Sequence, residues 1–219
     1  MRFASALPLA MLVLLAGPPA TAAIHGSVKV PPPPPEDAQF RPYAGRASSL
    51  PEAAHTPKGA VTDAVIYLES LPADATPPSH AGTPTLAQRG QAFDPRVVVV
   101  AAGGEVRFPN FDPIYHNVFS VSPARRFDLG KYPRGQSRTL TFPRPGLVNV
   151  FCDIHSNMAA FILVVPNAAW TRPDSTGRFT LDGTPPGHYR LHWWHPDFPA
   201  GHADVDVPAT GDMSLDVSF

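Results

Sequence analysis

Within Phe151-Cys152-Asp153-Ile154-His155-Ser156-Asn157-Met158 a thiol, an imidazole and a thioether stand three residues apart between two apolar runs. Sulfur and nitrogen donors of this kind are the soft and borderline ligands that copper prefers. A trigonal site of two histidines and one cysteine with a weak axial methionine is the pattern of a blue-copper electron-transfer centre. The loop is one histidine short of that set, and the missing imidazole should come from a distant strand. His116, in Ile114-Tyr115-His116-Asn117-Val118-Phe119, is the candidate.

Val148, Val150 and Cys152 share one face of a period-two strand, so the sulfur projects toward the same interior as the valines. Cys152 is also the single cysteine of the chain. In an oxidising compartment it has no internal disulfide partner. Coordination would protect it and hold it as thiolate at neutral pH, where a free thiol of pKa about 8.5 is mostly protonated. The bland alternative is an inert cysteine packed as a small hydrophobe, and the presence of His155 and Met158 at their spacing favours the ligand.

From Gly104 to Val165 the chain resembles the cupredoxin family, and within it the amicyanin and plastocyanin-like group, on the Cys-x2-His-x2-Met spacing and the upstream His116-Asn117-Val118. That resemblance implies one type 1 copper ion with His116, Cys152 and His155 as equatorial ligands and Met158 as the long axial one. It implies that Asn117 ties the two ligand loops together by hydrogen bonds, and that Pro113, Ile114, Ala159 and Ala160 form an apolar rim around His155 where redox partners dock. Such contacts are small and transient, below about 1,200 Å². Two departures stand out: Ser156 replaces the proline that usually follows the loop histidine, and Asp153 sets a carboxyl beside the cysteine. Both leave the ligands in place and bear on the potential.

The chain has 219 residues, 43% hydrophobic and 16% charged, enough for one large or two small domains. Its 29 prolines argue against helices and for strands, turns and extended linkers. A net charge of −1 provides no basic field, which excludes nucleic acid as an expected partner. Residues 1–22 have a charged start, an apolar run too short to span a bilayer and an Ala-x-Ala site, the form of a cleaved export signal. The expected location is therefore the periplasm, with no integral membrane segment after cleavage at Ala22 or Ala23.

Alternating or β-branched runs recur along the chain, and no window keeps a 3.6-residue period, so the fold class is all-β, a Greek-key sandwich over residues 86–165. A second pattern flanks it. Thr176-Gly177-Arg178-Phe179-Thr180-Leu181 and Thr184-Pro185-Pro186-Gly187-His188-Tyr189-Arg190-Leu191 resemble the signature of carboxypeptidase regulatory-like, transthyretin-like sandwiches. By that resemblance Gly26 to Val30 and Ala64 to Leu68 are its first strands. Residues 23–85 and 166–219 would then build one small sandwich into which the copper module is inserted, with proline-rich excursions over 31–60 and 71–85. His192-Trp193-Trp194-His195 sets two histidines three apart, but positions i and i+3 of a strand face opposite ways, so these residues read as core and rim rather than as a shared metal site.

The expected function is a periplasmic one-electron carrier and not an enzyme, since the sequence has no nucleophile-base or paired-carboxylate constellation. Two alternatives use the same chain differently. One is copper storage or delivery; the other is an envelope β-sandwich that binds a partner and carries an incidental metal site.

Overall fold

Two apolar runs, Val97–Ala101 and Ala159–Val165, show none of the alternation of a half-buried strand, and the structure gives the reason. They lie side by side as parallel strands, covered on both faces. Val98, Val100, Ala160, Ile162 and Val164 point into one core, whereas Val97, Val99, Leu163 and Val165 point away from it into a second layer.

The computed structural model describes residues 22–32, 59–73, 75 and 78–219. Residues 1–21, and with them most of the expected export signal, lie outside the described residues, as does most of the proline-rich stretch over 31–60. The strands are β1 (Ala22–Lys29), β2 (Val65–Leu68), β3 (Ala87–Arg89), β4 (Ala92–Asp94), β5 (Val97–Ala101), β6 (Glu105–Pro109), β7 (His116–Ser120), β8 (Phe127–Tyr132), β9 (Ser137–Thr141), β10 (Gly146–Phe151), β11 (Ala159–Val165), β12 (Trp170–Thr171), β13 (Arg178–Thr184), β14 (Gly187–His195), β15 (Phe198–Val207), β16 (Met213–Ser214) and β17 (Val217–Ser218). Among the described residues the one helical element is the 3-10 turn Val61–Asp63. The chain is all-β, with a cupredoxin-like sandwich.

That sandwich has a five-stranded sheet in the order β5-β11-β10-β7-β8, facing the pairs β6-β9 and β3-β4. Its core is Leu86, Phe93, Val106, Phe108, Val118, Tyr132, Phe142, Val148 and Val150 with the inward residues of β5 and β11. Cys152 and Met158 belong to the same cluster, so the face predicted for the sulfur is the face it occupies. The remaining strands form two further sheets, β13-β1-β16 with β17 on β1, and β12-β2-β14-β15. Between them lies a separate core that includes Ile24, Val28, Ile66, Leu68, Phe179, Leu181, Tyr189, Leu191, Val205 and Val207. Strands from before and after the cupredoxin-like sandwich thus share this second core.

The two halves meet where the outer faces of β5 and β11 pack against Val65, Tyr67, Trp170 and Trp194 of the β12-β2-β14-β15 sheet. Phe161 meets Trp194 edge-on, with ring centroids 6.0 Å apart. A polar latch closes one end of this seam. Arg96, just before β5, donates to Asp197 at 2.8 Å and to Asp63 at 3.2 Å. His195 sits beside the latch, almost fully buried, with one ring nitrogen bonded to the Ala60 carbonyl and the other accepting from the Asp197 N–H. Both of its nitrogens are occupied, which accounts for its burial as a core histidine.

Candidate metal centre

The site is built on the ends of β7 and β10. His116 opens β7, and Cys152 immediately follows β10, whose Phe151 pairs with Phe119 of β7. Antiparallel pairing therefore brings the two ligand segments together from far apart in sequence. The loop after Cys152 turns back at once: the Met158 N–H donates to the His155 carbonyl at 3.0 Å and the Cys152 N–H to the Met158 carbonyl at 3.3 Å. These bonds fold residues 152–158 into a tight hairpin loop that delivers Met158 into the core, fully buried, and leaves His155 half-exposed.

His116, Cys152 and His155 form a single cluster in which the donor atoms all lie within 4.8 Å of one another. The Nδ1 atoms of His116 and His155 are 3.1 Å apart, and the Cys152 Sγ is 3.8 Å from the His155 Nδ1. Two imidazole nitrogens facing each other at that distance repel through their lone pairs unless a proton or a cation lies between them. Together with a thiol, they make a donor set of the soft and borderline type that fits copper. Met158 adds a thioether from the same buried cluster.

The environment favours the ligand form of the cysteine, and a proton on the histidine that an ion would have to displace. Burial opposes ionisation of the Cys152 thiol, yet hydrogen bonding from His116 and from the backbone N–H groups of Asn117, Ile154 and His155 outweighs it and brings the pKa down to about 6. For His116 burial disfavours the imidazolium, while Cys152 and Asp112 outweigh it and raise the pKa above the ordinary histidine value.

Asp112 is a residue that the sequence reading did not single out. Its carboxylate, mostly buried, lies 2.8 Å from the His116 Nε2 and accepts the backbone N–H groups of Gly90 at 2.6 Å and Gln91 at 2.8 Å. Burial pushes the Asp112 carboxyl up, but the Gln91, Gly90 and His116 hydrogen bonds win and hold it below its usual value. With Nε2 committed to Asp112, the His116 Nδ1 is the nitrogen left to face the cluster. The Gly90 and Gln91 donors come from the β3-β4 turn, where both residues have positive φ, 62° and 58°. Asn110 fixes the loop between: its amide donates to the carbonyls of Ile114 and Tyr132, and its oxygen accepts from the Asp112 N–H. An Asn-x-Asp pair just ahead of His116 was the available signal, since short polar side chains that cap their own loops recur at such turns.

Asn117 ties the loops through its main chain, whose N–H reaches the Cys152 sulfur, whereas its side-chain amide donates to Asp128 on β8 at 2.7 Å. Asp153 turns outward into an exposed ion pair with Lys131 at 3.5 Å. Of the expected rim, Pro113, Ile114 and Ala159 are exposed, but Ala160 is not: it alternates inward on β11 and is buried in the core. The rim implied by the resemblance therefore loses Ala160, because strand β11 begins one residue before it. Phe111, Tyr115 and Ile154 are exposed instead, on the same two ligand loops.

No protein-family model matches this chain, and no curated protein does. Solved structures with related coordinates include a Cu-containing nitrite reductase from Thermus scotoductus SA-01 (24% identity, TM-score 0.37), for which the alignment covers 42% of this chain and 26% of the reductase. The chain thus spans about a quarter of the length of that protein. A methionine-to-alanine mutant of amicyanin in the Cu(I) form is similar at 18% identity and TM-score 0.36 over 45% of this chain and 97% of its own. A purple cupredoxin from Nitrosopumilus maritimus is similar at 19% identity and TM-score 0.31 over 34% of this chain and 82% of its own. Fold and cluster together define an all-β protein with a His-Cys-His donor set at one end of a cupredoxin-like sandwich. No helix among the described residues is long and apolar enough to cross a membrane.

Proposed function

We propose that His116, Cys152, His155 and Met158 hold one type 1 copper ion, and that the protein carries single electrons between redox proteins in the periplasm. The observation that carries this reading is the convergence of the three donor atoms within 4.8 Å, from two segments separated by most of a sandwich. Copper held there would supply a Cu(I)/Cu(II) couple. The chain's own residues do the rest. Asp112 fixes the ring of His116, three main-chain N–H groups hold the sulfur as thiolate, and the core packs Met158 and Cys152 so that neither has room to swing. His155 is the ligand that reaches the surface, and Phe111, Pro113, Ile114, Tyr115, Ile154 and Ala159 give the surrounding loops an apolar rim suited to brief docking.

Residues 86–165 act in this reading as an inserted copper module. The flanking segments 23–85 and 166–219 act as a transthyretin-like support, which matches the sharing of one core by strands from both ends. The test is an absorption spectrum of the copper(II)-loaded protein beside that of Cys152→Ser. An intense visible thiolate-to-copper band, lost in the variant, is the expected result; a colourless wild type overturns the reading. Reversible voltammetry then separates a carrier from a delivery protein, which would release Cu(I) to an acceptor without turnover.

A further inference from the structure

The second half of the molecule presents another set of donors on its outer sheet face. His192 on β14 stands directly opposite His202 on β15, and opposite Tyr67 on β2. Residues opposed across antiparallel strands project from the same face. Glu69, two residues beyond Tyr67, returns to that face, and its N–H bonds the Arg190 carbonyl next along β14. Three neighbouring strands therefore bring one carboxylate and two imidazoles to a single patch, at the open end of the seam where Tyr67 and Trp194 pack on the copper-type sandwich.

Glu69 and His202 each lie close to His192. The Glu69 carboxylate is 3.7 Å from the His192 Nε2, and the rings of His192 and His202 have centroids 5.6 Å apart. Tetrahedral zinc, with bonds of about 2.0–2.2 Å, separates its ligand atoms by about 3.3 Å and two imidazole centroids by about 5 Å. Glu69 and His202 are both exposed, so their side chains are free to turn toward a common ion beside His192. His192 is already held, since its ring stacks on Tyr67 at 5.1 Å and 11°. Arg190 lies 3.9 Å from Glu69, but its guanidinium is engaged by Asp204 at 2.9 Å, so Glu69 is its looser partner. The neighbouring His188 and Asp206 pair with each other and add no fourth donor.

We infer that Glu69, His192 and His202 form a second metal site, separate from the cysteine centre, for a borderline divalent ion of the zinc or copper(II) type. Imidazole and carboxylate without thiolate select such ions over Cu(I). An ion held there ties the residue that follows β2 to β14 and β15.

Calorimetric titration with zinc(II) alone tests this on the full chain, Cys152→Ser, His202→Ala and Glu69→Gln. His202→Ala is expected to lose one equivalent of bound zinc that Cys152→Ser retains, and Glu69→Gln to bind that equivalent more weakly. Zinc should also raise the Tm of Cys152→Ser and leave that of the His202→Ala, Cys152→Ser double variant unchanged, because an ion that binds only the folded state stabilises it. Equal zinc stoichiometry in the wild type and His202→Ala overturns the proposal. Failure at the cysteine centre would appear in Cys152→Ser against the wild type, and so remains distinguishable.

Discussion

The two sandwiches of this protein bury polar groups very differently. Around the core of the cupredoxin-like half lie Gln88, Asn110, Asp112, His116, Asn117, Ser120 and Ser122, all buried. The other half has, among the described residues, Thr184 as its buried polar residue, while Asp63 and His195 sit at the seam. Buried polar groups are costly unless each finds a partner, so their concentration in one sandwich shows which half spends stability on holding polar side chains in place. The second core is an apolar support. On the outer face of that half His192 is held against Tyr67, while Glu69 and His202 are exposed.

This contrast can be broken at several points. The largest effect is expected from Cys152→Ser, which should abolish the visible copper band while the far-UV circular dichroism stays that of the wild type; a lost fold would mean that the site is a structural keystone instead. Next comes Asp112→Asn. All three partners of that carboxylate are N–H donors, so an amide NH2 must face one of them. Copper retention, measured by competition with a chelator, should fall by roughly ten- to a hundredfold, the range for groups that orient metal ligands.

At the seam, Arg96→Met would leave Asp63 and Asp197 as mostly buried carboxylates without their cation. A loss of about 3 kcal/mol in urea unfolding is expected. Its pH dependence is specific. Burial pushes Asp197 up, but Arg96 outweighs it and holds the carboxyl below its ordinary value, whereas burial prevails at Asp63 and leaves it raised. A depressed carboxylate contributes stability that is complete above the unfolded pKa of about 3.9 and is lost as pH falls through the lower folded value. Asp197→Asn should therefore cost more at pH 7 than at pH 3. Asp63, raised in the fold, works the other way: its charge costs stability at neutral pH, so Asp63→Asn should cost less than Asp197→Asn at pH 7.

Tyr132→Phe probes the polar end of the first core. The phenol donates to the Phe108 carbonyl at 2.9 Å and accepts from Gln88 at 2.6 Å, and burial helps to push its pKa to about 12. Removing it leaves a buried amide short of a partner, for an expected loss of about 1–3 kcal/mol. The smallest effect belongs to Asp153→Asn: its ion pair with Lys131 is exposed, and stability should change by less than about 1 kcal/mol. A large effect there would show that the carboxyl acts on the centre after all.

Much of the site was legible because donor chemistry is written in residue type and spacing. Cys152, His155 and Met158 declare themselves in one loop, and period-two alternation already pointed the sulfur inward. Asp112 was not legible in the same way, since its role depends on the β3-β4 turn, 21 and 22 residues earlier in the chain, presenting two N–H groups. Ala160 was misplaced because one residue of register decides which side of a strand faces out. The pairing of His192 with His202 was likewise hidden, because it depends on the register of β14 against β15, while His195, read from the sequence as core or rim, is buried in the fold.

By itself the sequence determined the strand-rich class, through its prolines and its alternating runs, and the soft-donor loop, through three side chains on a short stretch of backbone. Both are local properties, set by what each residue can do with its own dihedral angles and donor atoms. Tertiary structure alone decided that β5 and β11 are apolar on both faces because a second sandwich covers them, and that a carboxylate outside the ligand motif orients His116. It alone brought Glu69, His192 and His202 onto one face. Strand order and register make those neighbours, and the cross-strand pairing that fixes them is a non-local contact that no single stretch of chain encodes.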